Sequence, residues 1–265
     1  MREGRSFRSG PDKVTVQGSI GFFGLMAGPD KHIVDRNALS DPLLARLPVS
    51  PRLYFEFYVG HYFRDIPEGY LESIASGGNQ LTDPMLRDYY DRLRNVTGGA
   101  LLSTRRLRDI LHLNLGAGRR FAAQYEQRRP IALSIRAANE RFTTDAGEKD
   151  AGAGVIRSVG RAGYLQMGPG IPMKRGLYRA RWIGTVSAPA EGPIGFVDVW
   201  SGDRHLARRE ISAADVKPET REIADLSFAL EEPASALEYR LWVNSGASLT
   251  LERVELASVQ ALTAQ

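Results

Sequence analysis

Residues 14–48 read Val14-Thr-Val-Gln-Gly-Ser-Ile-Gly-Phe-Phe-Gly-Leu-Met-Ala-Gly-Pro-Asp-Lys-His-Ile-Val-Asp-Arg-Asn-Ala-Leu-Ser-Asp-Pro-Leu-Leu-Ala-Arg-Leu-Pro48 and organise the first half of the chain. A strand is predicted at 14–16, and a second one at 32–35. The glycine-rich residues between them predict a turn and a short apolar segment. Ser40-Asp41-Pro42 combines a capping side chain with a proline in the first turn, which predicts a helix start.

In the rest of the first half, residues that favour helix N-termini alternate with glycines that end helices. An aromatic, β-favouring run at 53–59 predicts a strand. Helices are expected at 69–75, 85–96 and 103–115, and in the last of these Leu107, Ile110, Leu111 and Asn114 share one face. Residues 1–12 are expected to be disordered and residues 116–130 to form a linker. These patterns predict a small mixed α/β domain over residues 1–128.

The second half changes to short runs of alternating apolar and polar residues. Leu177-Tyr-Arg-Ala-Arg-Trp182 and residues 249–256 alternate most regularly, and turns such as Gly168-Pro-Gly separate the runs. About eight short strands with little helix are typical of a β-sandwich or jelly roll. We therefore predict an α+β protein with a jelly-roll-like β-sandwich over residues 129–265.

Composition limits the class of protein and its location. The chain has no cysteine, which excludes disulfides and thiolate metal sites. No apolar run approaches the roughly 18–20 residues of a membrane span, and no secretory signal is present. We expect this chain alone to be cytoplasmic, and extracytoplasmic if it belongs to a larger membrane protein. Residues 1–130 carry 19 Lys and Arg against 14 Asp and Glu, whereas residues 131–265 carry 16 against 17.

The glycines at 18, 21 and 24 do not match the dinucleotide-binding fingerprint, whose first two glycines are two residues apart. They are better explained by a close approach of backbone segments. A candidate functional polar cluster comprises Asp30, His32, Asp35 and His61. Such residues can bind a metal or relay protons, but they also form hydrogen-bonded turns, and we predict no metal, cofactor or catalytic residue.

Aromatic residues on the predicted sandwich strands suggest a glycan site. Sugar rings have apolar C–H faces that stack on exposed aromatic rings, while Asp, Asn and Arg bind hydroxyl groups. Packing in the core is the alternative for each aromatic residue, and Trp200 at a strand end is the best candidate for exposure. The candidate glycan-binding residues are Tyr164, Asp198, Trp200 and Trp242.

The first half resembles a known family of membrane enzymes. The run Gly21-Phe-Phe-Gly-Leu-Met-Ala-Gly-Pro-Asp-Lys-His-Ile-Val-Asp35 with Ala38-Leu-Ser-Asp-Pro-Leu-Leu-Ala-Arg-Leu-Pro48 is similar to the C-terminal extracytoplasmic region of bacterial arabinofuranosyltransferase-like (GT-C type) glycosyltransferases. Val59-Gly-His-Tyr-Phe63, Tyr89-Tyr-Asp-Arg-Leu93 and Asn95-Val-Thr-Gly98 extend the likeness over residues 13–115. The second half looks like carbohydrate-binding modules, through Gly163-Tyr-Leu-Gln-Met-Gly-Pro169 and Val197-Asp-Val199.

The resemblance implies an enzyme with membrane helices and a polyprenyl-phosphate sugar donor, and neither these helices nor the catalytic acids lie in this chain. The favoured hypothesis is therefore a glycan-binding or acceptor-positioning portion of a cell-envelope glycosyltransferase. The alternatives are a structural module that docks to a separate membrane glycosyltransferase subunit, and a stand-alone soluble enzyme built on the polar cluster. Expected partners are a glycan or glycolipid and a membrane surface or membrane subunit, without nucleic acid.

Overall fold

A computed structural model describes residues 2–51, 62–188, 193–216, 219 and 221–259. The chain divides into two compact units, Met1–Arg129 and Pro130–Gln265. The predicted boundary lies between residues 128 and 129, one residue before this division. The aromatic run at 53–59, predicted to be a strand, lies outside the described residues.

The N-terminal unit combines a two-stranded parallel sheet with short helices. Strand β1 pairs with β2 in the register Val14↔His32 to Gln17↔Asp35. A 3-10 turn covers Leu44–Arg46, and a π-type turn covers Leu113–Ala117. The elements are α1 (Arg2–Ser9), β1 (Val14–Gln17), α2 (Gly21–Ala27), β2 (His32–Asp35), α3 (Tyr70–Ser76), α4 (Pro84–Gly98), α5 (Thr104–His112) and α6 (Gly118–Arg128).

Two segments of this unit are helical where the sequence predicted irregular structure. Residues 1–12 include α1, whose Phe7 ring stacks on Phe23 of α2 with the ring centroids 5.8 Å apart. Residues 116–130 include α6 instead of a linker. Phe121 of α6 stacks on Tyr89 of α4 at a centroid distance of 3.8 Å, and this contact fixes the helix on the core.

The core of the N-terminal unit forms where α3, α4 and α6 meet the sheet. Asp83 caps α4 by accepting hydrogen bonds from the backbone N–H groups of Met85 and Leu86. The buried apolar residues are Val34, Ala38, Leu43, Leu44, Leu47, Tyr70, Leu81, Leu86, Tyr89, Tyr90, Leu93 and Phe121.

The C-terminal unit is built from two antiparallel sheets. One sheet has the strand order β10-β9-β12-β6, with β7 also paired to β12. The other has the order β11-β8-β13-β5-β4, with β3 also paired to β13. The strands are β3 (Ala132–Arg136), β4 (Gly147–Asp150), β5 (Val155–Ser158), β6 (Gly163–Gln166), β7 (Pro169–Met173), β8 (Gly176–Ala188), β9 (Gly195–Ser201), β10 (Arg204–Ile211), β11 (Glu222–Leu230), β12 (Ala234–Val243) and β13 (Ser248–Ser258).

The sheets form a β-sandwich around an apolar core, so the predicted α+β class is confirmed. Trp182 of β8 is fully buried, and its indole N–H donates to Gln166 Oε1 of β6 at 3.0 Å. Gln166 in turn donates from Nε2 to the carbonyl oxygen of Tyr239 at 2.7 Å. One buried amide therefore joins the two sheets and leaves no polar group of this pair unsatisfied.

Candidate functional site

The predicted polar cluster does not form a common site in the described residues. Asp30 and His32 are exposed. Asp35 is buried, and its carboxylate accepts hydrogen bonds from the backbone N–H groups of Asn37, Leu39 and Ser40 at 2.8–3.0 Å. His61 lies outside the described residues. Asp35 thus closes the turn after β2, which is the structural alternative that the sequence left open.

Asp41, which the sequence identified only as part of a helix start, is a second buried carboxylate in this region. It is buried and accepts from the backbone N–H groups of Leu43 and Leu44 at 3.0 and 2.8 Å. The hydroxyl group of Tyr70 donates to it at 3.0 Å. Burial raises the pKa of Asp41 despite these hydrogen bonds. Asp41 therefore holds the backbone at the start of the 3-10 turn and ties it to Tyr70 of α3.

The four predicted glycan-binding residues lie together on one face of the β10-β9-β12-β6 sheet. On β9, Asp198 and Trp200 alternate with the buried Val197 and Val199. On β12, alternate residues face outward in the same way and include Trp242. Because neighbouring strands are in register, outward side chains become neighbours across the sheet. We call this surface the aromatic face; its members are Tyr164, Phe196, Asp198, Trp200, Arg208, Arg240 and Trp242.

Asp198 connects three other residues of the aromatic face through hydrogen bonds. Arg240, its cross-strand partner, donates to its two carboxylate oxygens at 2.8 and 2.7 Å. Asp198 Oδ2 also accepts from the indole N–H of Trp200 at 3.1 Å and from the hydroxyl group of Tyr164 at 3.4 Å. The carboxylate is almost fully buried, so this bidentate pair holds the rings in fixed positions.

The rings and guanidinium groups of the aromatic face form one continuous layer. The Arg240 guanidinium lies 4.7 Å from the ring centroid of Tyr164 and 4.5 Å from that of Trp200. Trp242 stacks on Phe196 at 5.6 Å and meets the Tyr164 ring edge-on at 5.0 Å. These are cation–π and aromatic contacts of favourable geometry. The face is therefore rigid, half-buried and amphipathic.

Arg208 covers one end of the layer. Its guanidinium lies 3.6 Å from the Phe196 ring centroid, and it pairs with Glu210 on the same strand at 2.7 Å. Strand β9 begins at the same end, at Gly195, where a Cβ atom would collide with the carbonyl oxygen of Trp242. Glycine at this position permits the close pairing of β9 with β12, and this pairing sets Phe196 against Trp242.

A cleft of about 390 Å³ adjoins the Trp200 end of the face. His205 belongs to both the cleft and the border of the aromatic face. Its ring lies 5.5 Å from the Trp200 ring, and it also lines the cleft. Ser201, Arg204, Leu206 and residues 229–233 complete the lining. The volume falls within the roughly 300–1,000 Å³ range of small-ligand sites.

The electrostatics of the aromatic face keep Arg240 charged and Tyr164 neutral. Burial opposes the charge of Arg240, but the hydrogen bonds and negative charge of Asp198 outweigh it and raise the pKa of the guanidinium. Burial and the same carboxylate raise the pKa of Tyr164, which keeps its hydroxyl group protonated. The arrangement provides stacking surfaces and hydrogen-bond donors, and its carboxylate is occupied by its neighbours.

The described ranges lack two features that other kinds of site would require. They contain no group of three His, Cys, Asp or Glu side chains arranged to hold a metal ion. None of their helices combines the length and apolarity required to cross a membrane.

Sequence reasoning missed Phe196, Arg208 and Arg240. Phe196 and Arg240 follow the same two-residue alternation that placed Asp198, Trp200 and Trp242 on strands. Extending the alternation one step along each strand would have found both. Arg208 carried no such signal, because its place beside Phe196 depends on the pairing of β10 with β9.

Comparisons with known proteins give weak likenesses only. No protein-family model matches the chain, and no curated protein sequence does. Among solved structures, the C-terminal CBM6 of the laminarinase LamC from Zobellia galactanivorans is 14% identical with a TM-score of 0.35, covering 48% of this chain and 99% of the module.

Two further solved structures differ widely in kind. A mannan-recognising carbohydrate-binding module, TmCBM27, is 10% identical with a TM-score of 0.28, covering 50% of this chain and 99% of that one. The VP2 subviral particle protein of infectious bursal disease virus is 11% identical with a TM-score of 0.29, covering 49% and 33%. Because such scores are too low to support a functional argument, the function must be argued from the aromatic face itself.

Proposed function

We propose that the C-terminal unit binds a glycan on the aromatic face. The observation that carries this proposal is the Asp198–Arg240 pair, which is bidentate, nearly buried and surrounded by Tyr164, Trp200 and Trp242. Rings held at fixed positions lose little conformational entropy when a ligand stacks on them. A preorganised, amphipathic surface of this kind suits a sugar ring, which has apolar C–H faces and polar edges.

Each part of the face has a role in this proposal. The half-buried rings of Trp200 and Trp242 stack on the sugar faces. The guanidinium of Arg240 donates to Asp198 through Nε and Nη2. Among the described residues, its Nη1 has no hydrogen-bond partner. This nitrogen can therefore donate to a sugar hydroxyl. Asp198 does not itself bind sugar; it keeps Arg240 and Trp200 in place.

The cleft beside Trp200 provides room for a second sugar residue next to the proposed stacking site. His205 and Arg204 supply donors there, while Glu231 and Glu232 supply acceptors. A sugar stacked on Trp200 would extend its next residue into this cleft. The proposed ligand is therefore an oligosaccharide or polysaccharide chain, and a single sugar unit would fill only part of the site.

The wider setting that we propose follows from the resemblance of residues 13–115 to GT-C glycosyltransferases. There the chain would position an acceptor glycan for a polyprenyl-phosphate-dependent enzyme at the extracytoplasmic side of a membrane. Docking to a separate membrane glycosyltransferase subunit is the alternative setting. A stand-alone enzyme built on the polar cluster has no comparable support, because Asp30 and His32 are exposed and Asp35 is bound to backbone N–H groups.

Glycan arrays followed by calorimetry with arabinan, galactan and lipopolysaccharide fragments test the proposal. We expect binding by the full chain, and an affinity about tenfold lower for Trp200→Ala or Trp242→Ala, which corresponds to about 1.4 kcal/mol. Trp242→Phe keeps a ring for stacking and should bind with intermediate affinity. Leu177→Ala, at an exposed position on the other sheet, is the matched control and should bind like the parent.

Two results would contradict the proposal. One is the absence of binding to every glycan by a parent chain that is folded by circular dichroism. The other is binding that Trp200→Ala and Trp242→Ala leave unchanged, since the ligand would then lie elsewhere.

A further inference from the structure

Helix α5 turns its polar side toward the protein. Asp109 is 4% exposed and accepts from Asn95 Nδ2 at 2.7 Å and from Arg92 Nη1 at 3.3 Å, both on α4. Arg106 donates to the carbonyl oxygens of Val96 and Gly99 at 3.0 and 3.1 Å. The helix is therefore attached to its unit by hydrogen bonds and charge instead of by apolar packing.

The apolar side of α5 and its flanking residues faces solvent. Leu107 and Leu111 are four residues apart and share one face of α5. Leu101 and Leu102 precede the helix, and Leu115 follows it in the π-type turn. All five side chains are between 49% and 90% exposed. Short helices are normally stabilised by burying such a face. We call these five leucines the leucine row, and its exposure marks it as an interaction surface.

The charges around the leucine row are mainly positive. Arg105, Arg108, Arg119 and Arg120 are exposed, whereas the one acidic residue between positions 101 and 120, Asp109, is buried and paired. Asp88 and Asp91 of α4 line clefts with Arg105 and Arg108. Within the described residues, neither carboxylate forms an ion pair with these two arginines.

We propose that the leucine row docks on an anionic lipid surface. Exposed leucines flanked by arginines are the combination by which amphipathic helices bind anionic membranes, with the apolar side in the acyl boundary and the cations at the headgroups. A second copy of the chain fits less well. A symmetric contact through the row would place the same arginines opposite one another, and like charges oppose that contact. The docking uses the N-terminal unit alone, so it can fail or hold independently of glycan binding.

Vesicle cosedimentation of the full chain tests the surface. We expect binding to phosphatidylcholine vesicles with about one third phosphatidylglycerol, and weaker binding in about 0.5 M salt because the charges are screened. The triple variant Leu107→Ser, Leu111→Ser and Leu115→Ser should bind about tenfold more weakly. A control with Leu39→Ser and Leu177→Ser, which are exposed elsewhere, should bind like the parent.

A label in the row gives a second, direct readout. Because the chain has no cysteine, Leu111→Cys can carry a single environment-sensitive fluorophore. We expect its emission to shift to shorter wavelength on phosphatidylglycerol vesicles, whereas the same label at Leu39→Cys should not shift.

Three results would overturn the inference. The first is no binding to anionic vesicles, and the second is equal binding to phosphatidylcholine alone. The third is a parent chain that is dimeric in solution and becomes monomeric in the triple variant, which would assign the row to a contact between copies.

Discussion

The hydroxyl group of Tyr239 is an unsatisfied polar group in the middle of the sandwich core. The residue is fully buried, and its hydroxyl has no hydrogen-bond partner among the residues that the structure describes. Burial raises the pKa of this tyrosine, so the group stays neutral. Its ring packs edge-on against Phe142 at a centroid distance of 6.2 Å. The ring thus contributes to the core, whereas its oxygen opposes folding.

Removing that oxygen should stabilise the C-terminal unit. We expect Tyr239→Phe to raise the free energy of unfolding by about 1 kcal/mol, since the lost hydroxyl has no hydrogen-bond partner in the part of the chain that the structure describes. Urea unfolding monitored by tryptophan fluorescence measures the change, because Trp182, Trp200 and Trp242 all lie in this unit.

Tyr178 provides the matched comparison. It is equally buried, but its hydroxyl group donates to the Lys174 carbonyl oxygen at 2.8 Å. Tyr178→Phe should therefore lower the free energy of unfolding by about 1 kcal/mol. Changes of the same sign in the two variants would refute the assignment of Tyr239 as the unsatisfied group.

The sequence predicted which side chains share a strand face but not which ones meet across strands. Asp198 and Trp200 are two residues apart, so their common face follows from the strand period. Their contacts with Arg240 and Tyr164 depend on the order β9-β12-β6, which no local pattern indicates. The sequence therefore identified Asp198 but could not predict its hydrogen bonds to residues of the neighbouring strands.

At the scale of elements, an ion-pair network ties the edges of the two sheets together. Strand β10 ends one sheet and β11 ends the other. Arg209 of β10 pairs with Asp225 of β11, and it also pairs with Asp215 at 2.6 Å. Arg179 of β8 binds the same Asp225 carboxylate, with its Nε donating at 3.0 Å. These contacts close the sandwich along this edge.

The network should make the C-terminal unit sensitive to acid. Burial alone would raise the pKa of Asp225, but Arg179 and Arg209 outweigh it and hold the pKa below the ordinary value of 3.8. A lowered pKa gives stability that is present above the ordinary pKa and is lost as the pH falls through the lowered value. We expect Asp225→Asn to cost about 1 kcal/mol at neutral pH. The difference from the parent should shrink as the pH falls below 3.8, measured by fluorescence-monitored urea unfolding across that range.

Asp203→Asn, at an exposed carboxylate in the turn before β10, serves as the control for this measurement. It should match the parent at every pH. A difference between Asp225→Asn and the parent that stays constant down to strong acid would mean that the carboxylate charge does not hold the edge.

Two helices show what local patterns leave undetermined at this scale. The spacing of Leu107, Ile110 and Leu111 predicted α5, but apolar periodicity does not say whether the face meets the core or a partner. Because Asp109 is buried, the polar side of α5 faces the protein and its apolar side faces solvent, which is the reverse of the usual arrangement. The glycines and arginines near residue 118 suggested a linker, and they hid the four-residue spacing of Phe121 and Tyr125 that places α6 on the core.

At the scale of the whole molecule, each unit has a core of its own. All six α-helices that the structure describes belong to the N-terminal unit, whose core lies between Val34 and Phe121 in the sequence. Helical circular dichroism therefore reports mainly on that unit, while tryptophan fluorescence reports on the other one. The two transitions can be followed separately in one sample of the full chain.

The C-terminal unit should fold without the N-terminal one. Its first strand is closed within the unit, because β3 pairs with β13 and the backbone N–H of Ser258 donates to the carbonyl oxygen of Ile131 at 2.8 Å. A domain of this size buries enough apolar surface to be stable alone. We expect residues 130–265 to show the same fluorescence midpoint in urea as the full chain and the same glycan affinity, while losing the vesicle binding that depends on the leucine row. An unfolded fragment, or one with a clearly lower midpoint, would mean that the sandwich depends on the N-terminal unit for its stability.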